Sequence, residues 1–193
     1  MAKAQFDREE IIDKAIQLFW QKGFSASSMQ DVVKTTGLKP GSIYLAFGNK
    51  EGLFREALEK YAKTGSERIR KTIEKAPSIE LGICQHLENF VIDSTKDDFS
   101  SCFLVKTRLE LAAEGNELHE YASKTLDKIE MIFKEYLMLE YDEDTSSQRA
   151  TSIMMHIFAL RVYGFQSDSA DKMRKGLRQG LSWLPWDTYD KNR

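Results

Sequence analysis

Residues 27 to 50, SSMQDVVKTTGLKPGSIYLAFGNK, constrain the fold more than any other part of the chain. Gly37, in Thr36-Gly37-Leu38, stands where the chain must turn, because glycine enters the left-handed region without steric cost and so ends a helix. Before it, Met29, Val32 and Val33 recur at helical spacing, and Ser27 precedes Gln30 by a capping-box interval. After it, Pro40 suits the first turn of a helix, where its missing N–H costs nothing. Ile43, Tyr44 and Phe47 give a second short helix, and Leu38 points back into the small core between the two. Gly48-Asn49 breaks this helix, and Asn49 can cap a long segment from Lys50. Two short helices on a tight turn form either a plain helical hairpin or a helix-turn-helix, whose second helix enters a DNA major groove. Spacing alone leaves both open.

The rest of the chain reads as helix throughout, without a strand pattern or an internal repeat. Asp7 to Lys22 is a first helix, with Asp7 and Glu10 at capping-box spacing. A long helix runs from Lys50 to about Lys75, stopped by Pro77. Another runs from Ser78 to about Lys96. Asp97-Asp98 and Ser100-Ser101 mark a loop, and Cys102 to Ala113 is a shorter helix ending near Gly115-Asn116. Glu117 to about Tyr141 is long and amphipathic, residues 142–147 form a loop, and two helices follow at about 148–165 and 168–184. The tail from Pro185 reads as irregular. The expectation is an all-α chain of about nine helices: a three-helix head over 1–49, fused to the helix 50–75, and a helical bundle over 50–193.

The head resembles the DNA-binding domain of the tetracycline-repressor (TetR) family of bacterial regulators. The matching stretches are IIDKAIQLFWQKGFSASSMQDVV and GLKPGSIYLAFGNKEGLF. Leu18, Phe19, Gly23, Phe24, Asp31, Val32, Gly37, Gly41, Ser42, Ile43, Tyr44, Phe47, Lys50, Glu51 and Leu53 stand in register with the family pattern. The likeness weakens after about residue 60. Pro40 stands where many members have Lys, and Leu45 where many have His; both departures remove a polar phosphate or base contact. Trp20, where a small or charged residue is commoner, reads as a surface or interdomain packing residue. The resemblance implies that Ser28, Tyr44 and Lys50 hold phosphates, and that Gln30, Lys39, Gly41, Ser42 and Leu45 face bases or sugar edges. It also implies a homodimer on a pseudo-palindromic operator in double-stranded DNA, released by a small-molecule effector.

Charge agrees in sign. The chain carries a formal −2, but residues 1–50 hold seven Lys/Arg against five Asp/Glu, leaving the acidic excess in the body. With 41% hydrophobic residues there is material for a core. No apolar run approaches the roughly 18–20 residues of a membrane helix, and MAKAQFDREE has no signal-peptide apolar region, so a cytoplasmic protein is expected. Two cysteines, Cys84 and Cys102, without metal spacing, fit a reducing compartment. No cofactor, metal or catalytic motif is expected, and the chain does not read as an enzyme. A small helical enzyme or an interaction module that keeps the head as a relic is the reading from a different class.

In the body, Ile153, Ile157, Leu160 and Gly164 line one helical face. Met173, Leu177, Leu181 and Leu184 line another, with Gly176 and Gly180 alongside. Glycines four apart let helices approach closely. Packing within one subunit and packing between two both fit, and the resemblance favours a dimer of the last two helices. Phe90, Phe103, Tyr121, Met131, Phe158 and Phe165 supply an apolar cavity for an effector. His156 is either a core or interface histidine or a polar ligand contact; His86 and His119 read as surface residues. Cys102, at a helix start with Lys106 one turn on, has the setting of a reactive thiol. SCFLVKTRLELA resembles a G-C-x-L-V stretch of several family members, some of which sense oxidants or electrophiles. A space-filling cysteine is the alternative.

Overall fold

The computed structural model describes residues 6–94, 96, 101–166 and 169–191, apart from the side chain of Glu114. The expected loop at Asp97-Asp98 and Ser100 lies outside them. The described residues form ten α-helices and one 3-10 turn, with no strand. The helices are α1 (Arg8–Lys22), α2 (Met29–Thr36), α3 (Pro40–Phe47), α4 (Lys50–Lys75), α5 (Ile79–Asp93), α6 (Phe103–Glu110), α7 (Glu117–Leu137), α8 (Glu143–Tyr163), α9 (Ser169–Gly180) and α10 (Trp186–Lys191).

Several boundaries differ from the sequence reading for local reasons. Ser28, not Ser27, caps α2, and its capping-box partner is Asp31 rather than Gln30. Ser27 is instead buried, its hydroxyl donating to the Gly23 carbonyl at 2.5 Å. Residues 142–147 are not a loop: Asp142 accepts from the Thr145 N–H at 3.0 Å and starts α8 at Glu143. The tail is not irregular either. Trp186 and Tyr189 are buried, the Trp186 indole donates to the Leu181 carbonyl at 2.9 Å, and α10 forms around them. Apolar anchoring of two aromatic side chains orders a segment too short to be helical alone.

The chain divides into two compact units. The first comprises residues up to Thr64 together with Cys102–Thr125. Its core joins Phe19, Val32, Ile43, Leu53 and Phe54, all without accessible surface. Phe54 meets Phe19, Phe24 and Phe103 at ring-centroid distances of 4.8, 5.1 and 5.1 Å. Burying a side chain of this size stabilises by about 1.5–3 kcal/mol. Trp20 packs edge-on against Tyr61 at 5.3 Å in this same unit.

The second unit comprises Gly65–Ser101 and the chain from Leu126 onward. Helix α5 packs against α8, α9 and α10. It also passes α4 closely: a Cβ on Gly82 would lie 2.6 Å from the Ile73 Cα. Glu88, buried, receives three hydrogen bonds from the Arg174 guanidinium at 2.7–3.3 Å, which ties α5 to α9.

Candidate nucleic-acid interface

The geometry of α2 and α3 follows from their ends. Gly37 has φ +76° and donates to the Val33 carbonyl at 2.9 Å, closing α2 with a left-handed cap. Lys39 stays extended, Pro40 opens α3, and Gly48, at φ +78°, ends it. Val32, Thr36, Ile43 and Phe47 face inward. The outer side of α3 is then left bare. Leu45 is 90% exposed and Tyr44 52%, and nothing lies within 4 Å of a Cβ built on Gly41. Lys39 and Gln30 are exposed and Ser42 is half-buried. The glycine and the bare apolar side chain let this helix come close to whatever it meets.

Three polar devices tie the helices of the head together. The Arg8 guanidinium donates to the Ala46 carbonyl at 3.1 Å, pairs with Glu56, and lies 4.4 Å from the Phe47 ring centroid. Lys22 meets Asp31 at 2.6 Å, joining α1 to α2. That ammonium, with the Ser28 N–H and hydroxyl, holds the Asp31 carboxyl well below the usual carboxylate range. Lys50 is the third. Its ammonium donates to the Phe24 and Ser27 carbonyls at 2.8 and 2.7 Å and sits 4.2 Å from the Phe24 ring centroid.

Two residues given phosphate roles from the sequence, Lys50 and Ser28, have their polar groups engaged within the head. Lys50 turns inward, because the Phe24 and Ser27 carbonyls between α1 and α2 and an aromatic face attract its charge. The single hydroxyl proton of Ser28 goes to the Asp31 carboxylate at 2.8 Å, as part of the cap. Lys34 was missed: it is exposed in the last turn of α2 and, like Lys39, enters no ion pair among the described residues. Arg8 was missed as well. Its signal is faint, since nothing in spacing says that a helix-start arginine will reach a carbonyl 38 residues on.

Helix α6 completes the first unit. Lys106 donates to the Trp20 and Gln21 carbonyls at 2.9 and 2.6 Å, at the end of α1. Glu110 accepts from the Phe24 and Ser25 N–H groups at 3.1 and 2.7 Å. The lysine expected to activate Cys102 is therefore committed to carbonyls. Cys102 itself stands half-buried at the start of α6, whose cap it does not serve by a side-chain bond. Cys84 is fully buried, which pushes its thiol up to about 12.

The residues expected to form an effector cavity are divided between the units. Cys102, Phe103 and Tyr121 belong to the first, where Phe103 is packed on Phe54 and Tyr61. Phe90, Met131, His156 and Phe158 belong to the second. There Phe90 is in the core, whereas Met131 lines an open cleft of about 270 Å³ with Asp127, Glu130, Lys134, Ser147 and Ala150. His156 donates to the Ser152 carbonyl at 2.8 Å and lies against Gly180. Phe165 is exposed. His86 is not on the surface but 2% exposed.

Most residues expected at the dimer face are covered within the protomer. Ile153, Ile157, Leu160, Gly164, Met173, Leu177, Leu181 and Leu184 are buried within the protomer. Side chains already covered by α5 and by each other have no surface left for a partner. Of the set, only Gly176 and Gly180 are exposed, and a Cβ on Gly176 would meet nothing, whereas one on Gly180 would meet His156 of the same chain. The row left open on α8 is Thr151, Met155, Ala159 and Val162, with Met155 66% and Val162 68% exposed.

Comparison with known proteins agrees with this head. Residues 11–57 match the family described as bacterial regulatory proteins, tetR family. The chain is 31% identical over 115 residues to the transcriptional repressor ComR of Escherichia coli K12, an alignment covering 58% of this chain and 55% of ComR. It is 25% identical over 135 residues to IcaR of Staphylococcus epidermidis, a negative regulator of a biofilm operon, with 70% of this chain and 69% of IcaR covered. A structure of a CifR cysteine mutant with 26-base-pair operator DNA superposes with a TM-score of 0.80 at 25% identity, covering 96% of this chain and 100% of that one. The glycine-capped helix pair and these likenesses together show that residues 11–57 form a DNA-binding head of the tetracycline-repressor (TetR) family of bacterial regulatory proteins, carried on an all-helical chain.

Proposed function

We propose that this chain is a repressor that binds a pseudo-palindromic DNA operator as a homodimer in the cytoplasm and releases it when a small molecule binds the body. The bare outer face of α3 carries the reading. Tyr44, Leu45 and Gly41 offer a phosphate donor, an apolar contact for a thymine methyl and a close backbone approach. Lys39 and Lys34 supply unpaired charge for the phosphates, with Gln30 and Ser42 near the base edges. Lys50 and Arg8 position α3 rather than touch DNA. ComR and IcaR are named as repressor and negative regulator, which favours repression here.

The two-fold contact in this reading uses the open row of α8 with Gly176 and Gly180 of α9. A monomer leaving Met155 and Val162 in water gains by burying them. No described helix is long and apolar enough to cross a membrane. A gel-shift with the DNA upstream of the protein's own gene, alongside sedimentation analysis, tests the proposal. A retarded band that saturates at two chains per fragment is expected. A monomer in sedimentation, or no shift at low salt, overturns it.

A further inference from the structure

We infer that the second unit contains a receptor for a small organic carboxylate, formed by Arg161 and His86 around the ring of Phe90, and that this carboxylate is the effector. The effector role rests on the regulator reading; the binding site does not.

Arg161 is 8% exposed, yet no carboxylate among the described residues reaches its guanidinium, and its buried Nε has no hydrogen-bond partner. The guanidinium carbon lies 4.1 Å from the Phe90 ring centroid. A guanidinium over a ring still has its N–H donors to offer, and the buried Nε–H of Arg161 has no acceptor answering it among the described residues. His86 is 2% exposed, and both of its ring nitrogens lack a partner. Its ring packs edge-on to the same Phe90 at 4.8 Å and tilted against Phe133 at 5.8 Å. One phenyl ring thus carries an unanswered cation on α8 and an unanswered imidazole on α5.

Such groups are expensive to bury. An unpaired buried charge is strongly destabilising, and a buried polar atom without a partner carries its full desolvation cost. The same unit pairs its other buried charge well, since Glu88 takes three bonds from Arg174. Arg149 of the same unit also has a buried Nη1 without a hydrogen-bond partner, but its guanidinium lies against two rings, 4.0 and 4.2 Å from the Tyr141 and Trp183 centroids; Arg161 and His86 are instead unpartnered together around one ring, as where a ligand completes a site.

The chemistry names the ligand. An oxyanion accepts from both the guanidinium and the imidazole N–H. A carboxylate fits better than a phosphate, because the charge available is close to one unit: Arg68, from α4, is half exposed and shares its charge with Asp93 at 3.8 Å. Burial, then the positive charges of Arg68 and Arg161, push His86 down to about 3, so it contributes an N–H without a second charge. Phe90 and Phe133 suit a short apolar remainder.

The test uses the full-length protein with benzoate and hexanoate as probes, against benzamide, hexanamide and inorganic phosphate. Titration calorimetry and thermal melting should show binding and stabilisation by at least one carboxylate, and none by its amide or by phosphate. Arg161→Met should weaken that binding at least about tenfold, the loss expected for a charge-assisted bidentate pair. It should also raise the melting temperature of the ligand-free protein, because it removes an unpaired buried charge. A purely structural arginine gives the opposite shift. Arg161→Lys, should the methionine variant not fold, should keep part of the affinity. Equal binding of acid and amide, binding that survives Arg161→Met, or no response to any probe overturns the site. Gel-shifts separate the two readings. The ligand-free protein and Arg161→Met should both retard operator DNA, and carboxylate should release only the former. Binding without release overturns the effector role. No retardation in any sample counts against the regulator reading, while the site still stands or falls by calorimetry.

Discussion

Glu110 occupies the space that any side chain on residue 23 would need: a Cβ built on Gly23 would lie 2.5 Å from the Glu110 Oε2. Gly23 has φ +85° and ends α1, so the next two N–H groups point outward without helical partners. Glu110 takes both, and Lys106, one turn earlier on α6, takes two carbonyls at the same helix end. A single turn of α6 thus satisfies both polarities of the break between α1 and α2.

Glu110→Ala leaves those N–H groups without their acceptor and should lower stability by about 1–3 kcal/mol. Gly23→Ala should cost at least as much, since it combines a left-handed backbone with displacement of the carboxylate. Urea denaturation of both variants checks this; an unchanged midpoint for either would show that Glu110 does not clamp the helix end.

Lys50 and Lys39 should separate in a salt titration. On the proposed phosphate role of Lys39, Lys39→Ala should lower affinity for all sequences and reduce the salt slope by about one. Lys50→Ala unfastens the Phe24 and Ser27 carbonyls, so stability and affinity fall while the slope stays as it was. Tyr44→Phe should weaken binding by about 0.5–1.5 kcal/mol. Operator binding at several salt concentrations provides the comparison.

On the proposed α8 contact, Met155→Glu should leave the protein monomeric, because a carboxylate in the row with Ala159 and Val162 would be buried unpaired there. Sedimentation velocity reads the species directly. Gly180→Ala acts within the chain. Its methyl carbon would collide with the His156 Nε2, so the ring must leave its bond to Ser152, at a cost of about 1 kcal/mol.

His86 predicts a pH dependence. Its native pKa, about 3, lies below the ordinary 6.5, so the unfolded chain binds a proton that the native chain does not. The stabilisation is complete above pH 6.5 and is lost as pH falls from there towards 3, by up to about 1.4 kcal/mol per pH unit. Thermal melts at pH 7.5 and 5 should show a larger drop for the native protein than for His86→Leu, which lacks the imidazole facing Arg68, Arg161, Phe90 and Phe133. Equal drops would place the acid sensitivity elsewhere.

Local chemistry made the head legible in sequence. Gly37, Pro40 and Gly48 set helix ends through their own backbone preferences, and Val32, Ile43 and Phe47 set the inner face by spacing alone. The long helix from Lys50 and its stop before Pro77 were readable for the same reason. Gly37, Val32, Ile43 and Phe47 are among the positions that carry the TetR resemblance, and they are ones that local geometry restricts.

What the sequence could not decide was which partner each long or polar side chain would choose. Periodicity shows that Ile153, Ile157 and Leu160 share a face, but a covered face has the same spacing whether α5 or a second protomer covers it. Lys50, Lys106 and Arg8 have reach enough for phosphate or for a nearby carbonyl, and only folding brings the ends of α1, α2 and α3 within that reach. His86 looked like a surface residue because one histidine in a helix carries no burial signal. Its isolation beside Arg161 arises from α5 and α8, whose residues are remote in sequence and meet only when the second unit packs.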